Sequence, residues 1–522
     1  MTVDKPELPL SGIAADASAA SGDHHFRTDH LLANLKARTI SNGMVTGLAQ
    51  GAKFILTVAS LAIMSRLLRP EDVGLFAMVM AVTGILRIFK DAGLSAATVQ
   101  REGITHAQVS NLFWINLALS AVLGLVLAAA SPLIAKFYHE PRLVAMTLVL
   151  SVTFLFSGST VQHNALLNRQ MRFKVLAVIE VGSMLFSILT GVVMALMGCQ
   201  YWSLVGANLA GEAALLALTW MASGWRPQVP QRGSGTRPLL NFGANLTVGN
   251  IVFTMARGSD ALLIGREFGS DILGLYNRAS GMLTRPLEQF LSPITAFLVP
   301  TLARLQNQPA RYRATFLRVF EMIALVGFPC SGLFLAVSHP LTLVVLGRKW
   351  EDAAVIFGGF TLTALYAPLA CVIFWLGTSQ GRGRDILRWN MISSILTVAA
   401  FFAGLPYGAF GVALSYSTSG LLIRLPIQYY IAGCKGPVST RDLWSVFFKH
   451  LPLWPLALAG AWFPLTLVTG RPPLVQLLVA VPAGLLVSAV SIAVLPASRR
   501  AALHLINTLK SMRKPGGAAI KG

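Results

Sequence analysis

The sequence predicts an all-α integral membrane protein of about 14 transmembrane helices, arranged as two parallel six-helix lobes followed by two C-terminal helices. Three observations predict it. Apolar stretches of membrane length fill the chain from Met44 to Pro496. The basic residues collect in every second connection between them. A short motif recurs 200 residues apart, at the same point of a six-span unit.

A hydrocarbon core roughly 30 Å thick needs about 20 apolar residues per helix. Only helices or closed barrels satisfy the backbone in lipid, and these runs are continuous rather than alternating, so they are helices. The 522 residues are 54% hydrophobic and 12% charged. Length alone would argue for several soluble domains at about 150 residues each, but hydropathy overrides that estimate. The net charge of +21 would fit nucleic acid. The cations instead lie in short loops between spans, the positive-inside pattern, and no nucleic-acid partner is expected.

In chain order, residues 1–40 are expected to form a cytoplasmic tail. It is rich in Ala, Ser, Gly and Asp up to Asp23, and disordered on that composition. It lacks the apolar core of a secretory signal. Leu31, Leu32 and Leu35 beside Lys36 and Arg38 fit an interfacial helix or a plain basic flank. Residues 41–225 form the N-lobe, with spans near 44–65, 73–90, 109–135, 143–166, 175–198 and 202–223. A cytoplasmic linker follows at 226–241. The C-lobe, 242–434, carries spans near 242–267, 271–303, 315–338, 353–376, 386–405 and 409–432. Two extra helices, near 449–469 and 473–495, occupy 435–496, and residues 497–522 form a basic cytoplasmic tail.

Both termini are then cytoplasmic. Arg169, Arg172, Lys174, Arg226, Arg232, Arg237, Arg304, Arg311, Arg313, Arg382, Arg384 and Arg388 face the cytoplasm, with Arg499, Arg500, Lys510, Arg513 and Lys514 of the tail. Roughly 29 of the 42 basic residues fall on that side, about 8 on the other and about 5 within spans. The four cysteines show no spacing of a disulfide framework or metal site and read as small packing residues.

The recurring motif joins the first span to the second as Arg66-Leu-Leu-Arg-Pro-Glu-Asp-Val-Gly74-Leu75-Phe76. It joins the seventh to the eighth as Arg266-Glu-Phe-Gly-Ser-Asp-Ile-Leu-Gly274-Leu275-Tyr276. Trp202-Ser-Leu-Val-Gly206 and Phe410-Gly-Val-Ala-Leu414 are a weaker echo. Six spans is an even number, so both copies insert with the same orientation. Parallel repeats of this kind place a substrate site between lobes near the midplane and point to a transporter.

Five stretches resemble the polysaccharide transporter family of the multidrug/oligosaccharidyl-lipid/polysaccharide exporter superfamily, and within it the Wzx-type flippases of colanic acid and succinoglycan export. They are the Arg66–Leu75 motif, Asp91-Ala-Gly-Leu-Ser-Ala-Ala-Thr-Val-Gln-Arg101, Gln162-His-Asn-Ala-Leu-Leu-Asn-Arg-Gln-Met-Arg-Phe173, Asp260-Ala-Leu-Leu-Ile-Gly-Arg266 and Gly274-Leu-Tyr-Asn-Arg278. The resemblance spans roughly residues 40 to 440. It implies a fourteen-helix, two-lobe protein of the bacterial inner membrane, surrounded by membrane lipids. It implies translocation of an undecaprenyl-diphosphate-linked oligosaccharide by alternating access, for exopolysaccharide synthesis, together with a polysaccharide polymerase and chain-length or export proteins. No cofactor, metal or catalytic residue is expected.

A charge at a span centre costs about 2.5–3.5 kcal/mol on insertion scales, so it faces a cavity or a partner. Lys53, Arg257, Arg278, Arg285 and Arg424 are the candidate substrate-binding cations. Arginine suits a diphosphate because its planar fork pairs bidentately with phosphate oxygens. The plainer reading pairs Arg257 with Asp260 and Arg285 with Glu288 along one helix face. Asp260, Glu180, Glu212 and Glu288 are candidates for coupling to a proton or sodium ion, and passive flipping stays open. Gln162, His163 and Asn164 read as local structural polar groups ahead of sugar ligands. Gly258-Ser259 is expected to loosen the seventh span. Pro286, Pro293 and Pro300 permit kinks in the eighth.

Competing classes are weighed on the same residues. A membrane polymerase or ligase would need a large external loop, and a drug antiporter would need exposed carboxylates for cationic drugs. A scramblase or scaffold would not need so many buried charges.

Overall fold

The computed structural model describes residues 35–91, 93–101, 103–231 and 237–513. The expected tail through Asn34, residues 232–236 of the basic linker, and the end of the C-terminal tail from Lys514 lie outside the described residues. The described elements are helices joined by short turns. They cluster into two compact units, one holding residues 82–251 with the chain up to Thr57, the other Val58–Ala81 with everything from Val252.

In the first unit the long helices are α1 (Leu35–Leu67, shared with the second unit), α2 (Pro70–Arg87, likewise shared), α4 (His106–Ala129), α6 (Leu143–Arg169), α7 (Phe173–Leu196) and α8 (Trp202–Ser223). Short helices α3 (Leu94–Gln100) and α5 (Ser131–Tyr138) lie between them. Helix α4 starts on a capping box in which Thr105 and Gln108 satisfy each other's backbone N–H. It stops at Ala130, where Pro132 opens α5. Helix α6 packs between α4 and α8, and α7 pairs with α8.

The second unit continues with α9 (Arg237–Arg304, shared with the first unit through Ile251), α10 (Pro309–Ala336), α11 (Ser338–Val345), α12 (Glu351–Tyr366), α13 (Val372–Ser379), α14 (Gly383–Gly404) and α15 (Gly408–Ser419). Beyond them come α16 (Leu425–Gly433), α17 (Thr440–His450), α18 (Leu453–Leu467), α19 (Pro473–Val494) and α20 (Pro496–Arg513). Helix α9 is broken only at Gly269, whose φ of 79° a side chain would resist. The chain is helical through Gly258 and Ser259, so the loosening expected there is corrected. Small neighbours leave those torsions free, but an intact hydrogen-bond ladder holds them. Pro286, Pro293 and Pro300 likewise lie inside the helix without a break.

Nine described segments are long and apolar enough to cross a membrane. One of these, Gly383–Gly433, contains two helical arms on either side of Leu405–Tyr407. Helices α17 and α20 have a polar and an apolar face and few of the features of a span. Aromatic packing dominates the second unit's core, with Phe316, Phe320, Phe328, Trp375 and Tyr429 all buried. Helices α10, α18 and α19 approach through small residues. A Cβ on Gly332 would strike the Trp454 carbonyl, and one on Gly484 would press on Ala461.

The repeat is visible in backbone geometry. In the first unit, α6 ends with Gln170, Met171 at φ 54°, and an Arg172 N–H donating to the Leu167 carbonyl at 3.0 Å. In the second, α13 ends with Gln380, Gly381 at φ 68°, and an Arg382 N–H donating to the Gly377 carbonyl at 2.7 Å. Each turn is a left-handed C-terminal cap. The side chains agree as well. Arg172 donates to the Ala222 carbonyl at 3.0 Å and Arg382 to the Ala432 carbonyl at 2.9 Å, both pairs shifted by 210 residues. At the other end of the repeat, a Cβ on Gly74 would overlap the Ser270 carbonyl, and one on Gly274 would overlap the Pro70 carbonyl. That crossing is reciprocal at an offset of 200, so the motif read in the sequence is a pair of close backbone contacts.

Candidate functional site

Helix α15 does not pass smoothly into α16. A single π turn, Gly420–Arg424, lies between them. Such a turn inserts one residue and re-aims the side chains after it, often at functional sites. Here it ends on Arg424, which is 7% exposed. Gly420 is required at its start, because a Cβ there would overlap the Tyr366 hydroxyl.

The Arg424 guanidinium donates to Thr397 Oγ1 at 2.9 Å, to the Tyr366 hydroxyl at 3.2 Å and to the Tyr416 carbonyl at 2.6 Å. It also stacks 4.2 Å from the centre of the Tyr416 ring. All of these partners are neutral. No carboxylate among the described residues lies within 4.0 Å of Arg424. A cavity of about 260 Å³ opens beside it. Its walls include Tyr366, Trp389, Ser393, Thr397, Tyr416, Gln428 and Glu288. The arrangement offers one buried cation, several hydroxyl and amide groups, and aromatic faces. That set can hold an anionic, hydroxyl-rich ligand against apolar walls.

The other candidates are distributed differently. Arg278 lies with its guanidinium 5.8 Å from the Trp350 ring centre, and its Nε is buried without a hydrogen-bond partner. Arg285 is exposed. The side chain of Arg257 lies outside the described residues. Asp260 accepts a hydrogen bond from the Tyr276 hydroxyl at 3.0 Å and caps the Ala261 N–H. In the first unit Lys53 donates to Glu180 at 2.7 Å, and Arg87 pairs with Glu212. Of the nine site residues read from the sequence, Arg424 and Glu288 meet in one cavity and Lys53 and Glu180 form one pair.

The polar motif on α6 is structural. Gln162 accepts from Thr98 at 2.7 Å and donates to Asn116 at 2.8 Å. His163 is buried, hydrogen-bonded with Ser223 at 2.9 Å, and packed 4.5 Å from the Trp220 ring. Arg169 closes the C-terminus of α3 by donating to the carbonyls of Thr98 and Arg101. Asn164 differs, facing a cavity with Lys90 and Asp91.

Sequence reasoning missed the neutral half of the site. Tyr366, Tyr416, Trp389 and Thr397 are ordinary residues of apolar spans, and only the Gly420…Pro426 bracket around Arg424 hinted at irregular backbone. On α17, which is not a span, the Asp442 carboxyl is held down to about 2 by Arg313, with Ser439 helping at the helix start.

Comparisons with known proteins agree with this architecture. Residues 63–355 match the polysaccharide biosynthesis protein family. The chain is 22% identical over 431 residues to the lipopolysaccharide biosynthesis protein WzxC of Escherichia coli, covering 80% of this chain and 87% of that one. It is 26% identical over 384 residues to the teichuronic acid biosynthesis protein TuaB of Bacillus subtilis, covering 73% and 78%. It is 24% identical over 359 residues to the succinoglycan biosynthesis transport protein ExoT of Rhizobium meliloti, covering 68% and 72%. Among solved structures, the lipid II flippase MurJ superposes with a TM-score of 0.67 at 13% identity, covering 86% of this chain and 98% of that chain. An inward-facing multidrug transporter of the MOP superfamily gives 0.57 at 14% identity, covering 75% and 94%. The chain therefore has the MOP exporter fold, and it belongs to the polysaccharide biosynthesis protein family.

Proposed function

We propose that the protein translocates an undecaprenyl-diphosphate-linked oligosaccharide across the bacterial cytoplasmic membrane by alternating access, with both termini cytoplasmic. The observation that carries this reading is Arg424, a buried cation held by neutral groups on the wall of a polar and aromatic cavity. A charge in a span with no ionised partner costs about 2.5–3.5 kcal/mol on insertion scales. A ligand that supplies the missing anion offsets that cost. Sugar rings stack on aromatic faces, and hydroxyls and the Gln428 amide suit their OH groups. WzxC, TuaB and ExoT, named for lipopolysaccharide biosynthesis, teichuronic acid biosynthesis and succinoglycan transport, support the same direction.

Arg278, Arg285, Arg257 and Lys53 are further candidates for the substrate path. Lys53 does so only by exchanging Glu180 for the ligand. Asp260, Glu180, Glu212 and Glu288 are the candidates for ion coupling. Glu288 is the best placed of these, since it shares a wall with Arg424. Residues 41–225 and 242–434 act as the two lobes, the last two spans stand outside the repeat, and a polymerase consumes the product on the far side.

The test is a deletion strain. Loss of the protein should trap the lipid-linked repeat in the inner leaflet and abolish surface polysaccharide. Arg424→Gln, inserted normally, should restore less than a tenth of export. If the deletion instead leaves single repeats displayed outside without long polymer, the protein acts as a polymerase. If Arg424→Gln exports at the native level, the site assignment is wrong.

A further inference from the structure

A second cluster of cations lies far from Arg424 in sequence and in its own cavity. Three connections of the second unit meet there: the C-terminal end of α1, the turn between α11 and α12, and the turn between α18 and α19. They enclose a groove of about 600 Å³. Leu343, Leu346 and Leu474 form apolar walls, and Arg66, Arg348 and Lys349 bring positive charge.

The groove is built rather than incidental. Trp350 is fully buried and its indole N–H donates to the Ser65 carbonyl at 2.6 Å. Arg66 donates to the Val344 carbonyl at 2.8 Å. Gly347, at φ 98°, turns the chain so that Arg348 and Lys349 follow on one tight helical turn. Both are exposed. The nearest carboxylate in sequence, Glu351, lies 3.4 Å from His339 instead. Among the described residues none of the three cations has a carboxylate within 4.0 Å.

Two halves of this site argue together. Solvated cations need no apolar cleft, and a lipid-facing wall needs no cations. An amphiphile with an anionic head satisfies both. The orientation proposed above places all three connections on the outer side, from which the positive-inside rule depletes Lys and Arg. Cations retained there against that bias call for an anion to hold.

We propose that this groove binds the phosphate head of a membrane lipid at the outer face, its apolar chain lying along the leucine walls. The site rests on the proposed orientation but not on transport. The head can belong to an anionic phospholipid or to the polyprenyl phosphate of a cargo, and the two share the same chemistry.

The test uses the full-length chain purified in detergent and titrated with phosphatidylglycerol, undecaprenyl phosphate or phosphatidylcholine, bound lipid being read by native mass spectrometry. At least one anionic lipid should bind tenfold tighter than phosphatidylcholine, and whichever of the two is preferred names the source of the head. The preference should fall at least fivefold in Arg348→Gln/Lys349→Gln, which spares the Trp350 and Arg66 bonds. In the wild type it should also weaken as salt rises, because exposed charges are screened. That second readout stands if the variant fails to fold. Equal binding of phosphatidylcholine, a salt-independent preference, or an unchanged preference in a folded variant each overturns the proposal. Binding in detergent requires no translocation. A deletion strain that still exports would therefore remove the transport reading and leave this one standing.

Discussion

Arg382 ties one stretch of the second unit together, and its replacement should destabilise that unit strongly. Its guanidinium donates to the carbonyls of Ile431 at 2.7 Å, Ala432 at 2.9 Å and Lys435 at 2.8 Å, and to Asp385 at 2.8 Å. The Arg382 and Asp385 side chains are 11% and 10% exposed. Arg382→Ala therefore leaves three carbonyls at the end of α16 without this donor and removes the hydrogen-bonded cation from a nearly buried carboxylate. Removing one partner of a buried pair costs about 3–5 kcal/mol. The counterpart in the first unit, Arg172, is exposed and donates to the Ala222 carbonyl at 3.0 Å. A single bond of that kind is worth about 0.5–1.5 kcal/mol. Thermal unfolding of fluorescent fusions in detergent, followed by size exclusion, should rank Arg382→Ala well below Arg172→Ala. Arg382→Lys should recover only part, because one ammonium cannot reach four acceptors. Equal losses for the two alanine variants would refute the reasoning that burial and acceptor number set the cost.

Three further outcomes follow from the same geometry. Gly74→Ala and Gly274→Ala should lower membrane abundance to a similar degree, by overpacking worth about 1–3 kcal/mol or more, whereas Gly51→Ala, with open space around it, should not. The Asp442 carboxyl is held at about 2 in the fold, below its ordinary value, so its pairing with Arg313 stabilises above the usual carboxylate range and is lost as pH falls toward 2. The stability gap between wild type and Arg313→Gln should hold from pH 7 to about 4.5 and close only in more acid solution. A gap that closes near pH 6 contradicts the assignment. Alkaline phosphatase fused after Tyr138 or Gly470 should be active, and after Arg232 or Arg384 inactive; reversal at any two sites would sink the proposed orientation.

Much of the fold was legible because hydropathy reports burial in lipid directly. The expected span 202–223 coincides with α8, and 473–495 differs from α19 by one residue. Backbone breaks were not legible. The stretch 109–135 divides at Ala130, and 353–376 divides around Leu369–Cys371, because averaged hydropathy does not register a turn whose side chains stay apolar. Helix α17 was hidden for the opposite reason: its polar face dilutes the average. At the site, charges were readable one by one, since a cation in a span is conspicuous. Their partners were not. Thr397 comes from α14 and Tyr366 from α12, and no local pattern ties either to Arg424.

The repeat also explains why the site belongs to one half. The frame is duplicated at the Arg172 and Arg382 turns and at the reciprocal Gly74 and Gly274 crossing. The chemistry is not duplicated. Shifting Arg424 back by 210 residues lands on Ala214, within the apolar run of α8. The first unit instead holds two ion pairs, Lys53 with Glu180 and Arg87 with Glu212. A paired charge is already neutralised and gives little to a ligand unless the pair opens. A cation surrounded by hydroxyls, a carbonyl and an aromatic ring keeps its full attraction for an anion. Two copies of one scaffold thus differ in what they can bind. On the function proposed above, anion recognition belongs to the second copy, where the π turn adds a residue and Gly420 lets Tyr366 approach it.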